Sequence, residues 1–352
     1  MRREVEEKLE RIRRFLKQEG YEGVLLATNE NFFWLSGGRS AFVDKSTGVS
    51  ASKLMVTETG QYVICNFSER YRVMEEELPE GEFELITYQW HEDESQVLAD
   101  WIRGKRFASD NGVYSTENCG AQIQRLRYVL TEEETVRYRE IGPESAAILE
   151  SSCKQIRSGE SELEIAARTV QKLMEKGYQV PVCLVAADER LKRYRHPIPT
   201  SKRVEKYAMT AICAQKYGLT VSISRIVSLG RIDEEKAKRM EAVQRIDAAY
   251  IRNTKTGALA RDILDKGFEA YQEEGYGEDF HLHHQGGALG YPTRDYCTNF
   301  ASTDTVLDGQ AFSWNPTIAG VKSEDTFLVS KDRQEIISHT GNWVYREICC
   351  ED

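Results

Sequence analysis

No stretch of the chain approaches the roughly 18 consecutive apolar residues that a membrane-spanning helix needs. The first twenty residues, MRREVEEKLERIRRFLKQEG, alternate charges where a secretory leader would carry an apolar core, so the sequence predicts a cytoplasmic protein with no membrane association. Positive charge is in deficit. There are 47 Lys and Arg against 57 Asp and Glu, a formal net charge of −10, which argues against a general electrostatic grip on nucleic acid or on an anionic membrane. Histidines number only 6, and the 8 cysteines (65, 119, 153, 183, 213, 297, 349, 350) form no C-x-x-C pair. In a reducing compartment they read as buried thiols standing in for small apolar residues, with Cys349 and Cys350 exposed at the tail and no structural zinc site. What is present is 352 residues, 40% hydrophobic and 30% charged, enough for two globular domains with a core each.

Val5, Leu9, Ile12 and Leu16 fall at helical spacing, with Gly20 as a stop. Residues 24–28 (VLLAT) read as a buried strand. Residues 52–66 read as strand, tight turn at Thr59-Gly60, strand. Further strands are expected at 83–88 and 106–111, around a helix near 94–103. The character changes near Leu130, where Thr131 and Glu134 form a capping-box pattern before a long helix. A second helix at 161–178 carries an apolar stripe of Leu163, Ala166, Val170, Leu173 and Met174. Strand-like runs beyond 183 alternate with helices at about 233–252 and 262–276, and 280–332 is again strand-like. The class is α+β in two domains.

Three segments could carry chemistry. In HLHH (281–284), a strand would put His281 and His283 on one face and His284 on the other, a grouping that could hold zinc; the plainer reading has one histidine in solvent and another in a pocket wall. In Gln285-Gly286-Gly287-Ala288-Leu289-Gly290, three glycines in five residues imply close backbone approach or positive φ, and the spacing matches no phosphate-binding loop. Lys322-Ser323-Glu324-Asp325 has the composition of a charged turn between two strands.

In this order, and together with NFFWLSGG (31–38), LTEEETVRYREIG (130–142), RHPIPTSKRVEKYAM (195–209) and SISR (222–225), these segments resemble the creatinase / aminopeptidase P / methionine aminopeptidase superfamily over nearly the whole chain. The resemblance implies a creatinase-type α/β N-terminal domain (1–128) and a pita-bread domain (129–352), a homodimer, and a dinuclear metal site built from two Asp, one His and two Glu. The positions matching those ligands are Ala211, Ser222, Gly287, Asn315 and Glu324, so only Glu324 remains acidic. Hard divalent ions need several oxygen donors, and we therefore expect no metal and no other cofactor.

The resemblance then implies a pocket with His196, Glu324 and His284 as catalytic residues. Ser222, Arg225, His283, Gln285, Tyr291, Arg294, Trp314, Asn315 and Lys322 would contact a small-molecule substrate. His196 matches the histidine that shuttles a proton in creatinase, which works without metal, and Arg294 would clamp a carboxylate or phosphate. The expected function is a metal-independent, creatinase-like enzyme acting on a small polar C–N compound or modified amino acid. The alternatives are a non-catalytic descendant that binds a ligand or partner, suggested by the inert Ala211 and Gly287, and a residual metal-dependent aminopeptidase using HLHH with Glu324.

Overall fold

The computed structural model describes residues 2–40, 43–331, 333–343 and 347–348. Cys349 and Cys350 lie outside them. The chain divides into two compact units, Met1–Glu133 and Glu134–Asp352. No helix among the described residues is long and apolar enough to cross a membrane.

The first unit opens with α1 (Arg2–Glu19), which buries Val5, Leu9, Ile12 and Leu16 on one face as the spacing predicts. Strands β1 (Gly23–Thr28), β2 (Val49–Thr57), β3 (Gln61–Asn66), β4 (Glu84–Tyr88), β5 (Phe107–Ser109) and β6 (Glu117–Asn118) form one sheet in the order β4-β3-β2-β1-β5-β6. β1 is the central apolar run, paired antiparallel with β2 and parallel with β5. The NFFWLSGG segment forms α2 (Asn29–Leu35), whose Phe32, Phe33 and Trp34 are buried. Its Asn31 amide donates to Asp110 Oδ2 at 2.7 Å, and the same carboxylate accepts the Ala27 and Thr28 backbone amides. That part of the motif is accounted for by structure alone. A helix, α3 (Glu94–Ile102), packs Leu98 against Leu25, Met55 and Ile64.

The second unit carries α4 (Glu132–Cys153), which begins directly after Thr131, and α5 (Glu162–Met174). In α5 the buried face is Ile165, Thr169 and Leu173, while Leu163 and Met174 of the expected stripe are exposed. The helix is set by a capping box between Ser161 and Glu164, which fixes its phase about one residue away from that reading. Strands β7 (Gln179–Ala187), β8 (Tyr207–Lys216) and β9 (Leu219–Leu229) form an antiparallel meander, extended at the β9 edge by β17 (Glu347–Ile348). Helices α6 (Glu234–Asn253) and α7 (Ala260–Glu273) follow. A second sheet then orders β11 (Tyr296–Cys297), β10 (Gly286–Leu289), β12 (Gln310–Trp314), β15 (Asp325–Ser330) and β16 (Arg333–Ile336). Between β12 and β15 lies the small hairpin of β13 (Thr317–Ile318) and β14 (Val321–Lys322).

The core of this unit gathers Val243, Ile246, Tyr250, Phe312, Trp314 and Phe327. Tyr250 of α6 stacks on Trp314 at 4.7 Å between ring centroids, and Gly267 of α7 lets the two helices approach over it. A Cβ at Gly267 would lie 1.9 Å from the Tyr250 ring. Gly267→Ala is therefore expected to destabilise the protein by about 1–3 kcal/mol in urea unfolding despite alanine's better helix propensity. A neutral or stabilising result would show that Tyr250 moves aside freely.

Candidate active site

The site lies within the second unit, where β9 meets β15. Ser222 N donates to Thr326 Oγ1 at 2.8 Å, Thr326 Oγ1 donates back to Ser222 O at 3.0 Å, and Ser224 N donates to Glu324 O at 3.1 Å. Because side chains alternate along a strand, Ser222 and Ser224 of β9 present their hydroxyls to the same side. Ser224 Oγ donates to Glu324 Oε2 at 2.6 Å, and Ser222 Oγ accepts from Arg294 Nη1 at 3.0 Å.

Glu324 is the buried centre of this network. Lys322 Nζ lies 2.7 Å from its Oε2 and Arg294 Nη2 lies 3.1 Å from its Oε1. Burial alone would raise this carboxyl, but Lys322, Arg294 and the hydrogen bonds from Lys322 and Ser224 outweigh it and pull the group down to about 2. Lys322-Ser-Glu-Asp is thus a buried charge network and not a solvated turn. Its Ser323 donates to Asp247 Oδ2 at 2.6 Å, and burial pushes that carboxyl up to about 8.

A cavity of about 150 Å³ opens beside this network. Its polar lining is His196, His284, Thr293, Arg294, Asn315, Lys322 and Glu324, and its other walls are Val182, Leu184, Ala211, Ile212 and Cys213. Five of the expected pocket residues outside the histidines therefore stand together: Arg294, Asn315, Lys322 and Glu324 in the wall, and Ser222 behind Arg294. The strand contributions Val182, Leu184 and Ile212 carry no signal in the sequence beyond apolar runs. Ser224 is readable there, since it stands two residues after Ser222 in a strand.

The histidines do not form the expected strand. His281 and Leu282 close a 3₁₀ turn (Gly277–Leu282), so His283 and His284 are not split between two faces. Their rings stack at 4.2 Å, and His283 Nε2 is 3.1 Å from His196 Nε2. His281 instead packs against Phe268 and Phe280. Burial, then the neighbouring histidines and cations, lowers His283 to about 3 and His284 to about 4. His196 is also lowered, first by burial and then by Lys322. All three imidazoles are therefore neutral at physiological pH.

Four expected pocket residues sit elsewhere. Trp314 is fully buried in the core, where its Nε1 donates to Thr254 Oγ1 at 2.9 Å. Tyr291 is buried and donates to Glu134 Oε1 at 2.5 Å. Arg225 is a structural clamp, reaching Glu150 at 3.3 Å and Asp325 at 3.1 Å and donating to the Ser224 and Ser338 carbonyls. Gln285 is buried too. Its amide donates to the carbonyls of Phe280 (3.0 Å) and His283 (2.8 Å), and its oxygen accepts from Tyr271 (3.1 Å), so it braces the histidine segment from behind.

The residues present do not fit a dinuclear centre of the kind implied by the resemblance. Ala211 and Gly287 offer no side-chain donor, and Ser222 and Asn315 are neutral. The remaining carboxylate, Glu324, already carries two cationic partners. Gly287 has φ +154° at the heart of β10, and a Cβ there would lie 2.2 Å from the Tyr296 carbonyl oxygen.

Residues 8–144 match the family model of the creatinase/prolidase N-terminal domain. Among curated proteins, the Xaa-Pro dipeptidase of Lactobacillus helveticus is 25% identical over 235 residues, 64% of each chain. That of Pyrococcus horikoshii is 22% identical over 362 residues, covering 95% of this chain and 97% of its own. Among solved structures, the Xaa-Pro dipeptidase from Bacillus anthracis superposes with a TM-score of 0.79 at 17% identity, covering 97% of this chain and 99% of that one. These likenesses establish the two-domain creatinase/prolidase architecture with a pita-bread second domain. Residues 137–331, more than half of the chain, match the model of metallopeptidase family M24, and the chain belongs to that family.

Proposed function

We propose that the chain is an enzyme that hydrolyses a C–N bond in a small, carboxylate-bearing amide or modified amino acid, without the dinuclear centre of its relatives. The observation that carries this reading is a pair of unsatisfied groups in the cavity wall. Arg294 Nε and Asn315 Oδ1, on two residues that line the cavity, are both buried with no hydrogen-bond partner among the described residues. An unpaired donor on a guanidinium and an unpaired amide oxygen suit a carboxylate and an N–H of one ligand. Two cations against one carboxylate leave the cavity net positive while its imidazoles are neutral, which favours an anionic substrate.

In this reading neutral His196 takes a proton from an attacking water as the C–O bond forms. It returns the proton to the nitrogen as the C–N bond breaks. Arg294 and Lys322 hold the substrate's negative groups, and Glu324 fixes the two cations. The names of the relatives support a substrate with an amide bond next to a carboxylate. The second reading, a binding protein without turnover, is favoured by Ala211, an inert side chain in the cavity wall where the resemblance places a ligand. A panel of N-acyl amino acids, Xaa-Pro dipeptides and amidines separates the two. We expect turnover of at least one carboxylate-bearing amide that persists in excess chelator. Loss of that activity in chelator, with recovery on adding Mn²⁺ or Co²⁺, would overturn the metal-free mechanism, and no turnover across the panel would favour the binding protein.

A further inference from the structure

We propose that His196, His283 and His284 form a mononuclear site for a borderline transition ion of the zinc class, separate from the positions of the dinuclear centre. One ligand atom from each imidazole lies within 4.8 Å of the others, and His196 Nε2 and His283 Nε2 are hydrogen-bonded at 3.1 Å. A tetrahedral zinc with Zn–N bonds of about 2.0–2.1 Å holds its nitrogens about 3.3 Å apart. The three imidazoles are therefore gathered within reach of one ion, which would replace the proton now shared between His196 and His283 and draw the rings together.

The hydrogen bonding sets one imidazole in the ligating form. His283 Nδ1 lies 2.5 Å from the backbone carbonyl oxygen of His284, which can only accept. Nδ1 therefore carries the proton, and Nε2, facing His196, carries the lone pair. Metal-bound histidines typically have their second nitrogen engaged in this way, which fixes tautomer and ring orientation. Gln285 holds the segment from behind through its bonds to the Phe280 and His283 carbonyls. His196 and His284 keep solvent-exposed faces, which leaves a fourth position for water or a ligand.

The surroundings choose among ions. Lys322 and Arg294 against Glu324 leave one net positive charge beside the trio, which opposes a hard cation bound mainly by charge. Mg²⁺ and Ca²⁺ also lack oxygen donors here, whereas Zn²⁺, Co²⁺, Ni²⁺ and Cu²⁺ gain from neutral nitrogen ligands. The site goes beyond the proposed function and competes with it, because His196 held by an ion is no longer free to take up a proton.

The test uses the full chain, stripped by chelator dialysis and titrated with Co²⁺, following ligand-field absorption and its displacement by Zn²⁺. We expect saturation at one equivalent, no competition from Mg²⁺, and affinity at least ~10-fold weaker in His196→Ala, His283→Ala and His284→Ala. His281→Ala, in the same segment but outside the trio, should bind as the parent does. No saturable binding, or equal affinity in the trio variants and His281→Ala, overturns the site. Circular dichroism on each variant separates loss of a ligand from loss of fold. The optical readout is independent of turnover, so failure of the site and failure of the proposed reaction are told apart.

Discussion

His196→Ala should lower kcat on the accepted substrate by about two to four orders of magnitude, the usual contribution of a positioned general base. KM should change little, since Arg294 and Lys322 hold the substrate's charge and His196 the transferred proton. The pH profile gives a second readout that a structural role would not move. His196 lies below its ordinary value of 6.5 because of burial and then Lys322. The neutral, basic form therefore persists below pH 6.5, and the parent's activity should hold to that point and fall only as the ring protonates. The residual rate of His196→Ala should lack that acid limb. A variant retaining more than about a tenth of the parent kcat would assign proton transfer to another group.

Glu324→Gln should destabilise the protein by roughly 3–5 kcal/mol in urea unfolding at neutral pH. Glutamine can still accept from Ser224, but it leaves Arg294 and Lys322 facing each other with no buried anion. The effect carries a pH signature. The folded value of about 2 lies below the ordinary 4.5, so the fold favours the ionised form. That stabilisation is complete above about pH 4.5 and is lost as pH falls toward about 2. The stability gap between parent and variant should narrow across this window. Adding Lys322→Met to Glu324→Gln removes one stranded cation and should recover part of the loss. A loss below about 0.5 kcal/mol would mean that solvent already screens the pair.

Local sequence carries much of the framework. β1 is a short apolar run, β9 alternates small polar with apolar residues, α1 has a clean helical stripe, and the ordered motifs point to the family. Sequence misleads where the deciding partner is remote. Ser224 and Glu324 are 100 positions apart, and so are Arg225 and Asp325. Nothing local separates an arginine clamping the framework from one facing a cavity, and Arg225 and Arg294 take opposite roles. Trp314 stands beside Asn315, yet strand alternation and the Tyr250 stack send it into the core while Asn315 lines the cavity. The histidine segment departs from expectation because a 3₁₀ turn, held by contacts of Phe280 and Gln285, replaces the expected strand. His196 joins the trio from 87 residues away.

Gly287 is a position that the backbone itself reserves for glycine. Strand β11 and the residue after it fill the space a side chain at 287 would need, with the Tyr296 carbonyl 2.2 Å and the Thr298 nitrogen 3.1 Å from where its Cβ would sit. A histidine placed at 287 would therefore meet packed backbone and not an open pocket. What excludes a larger side chain at 287 is main chain, so altering the charges around Glu324 would not by itself make room for one.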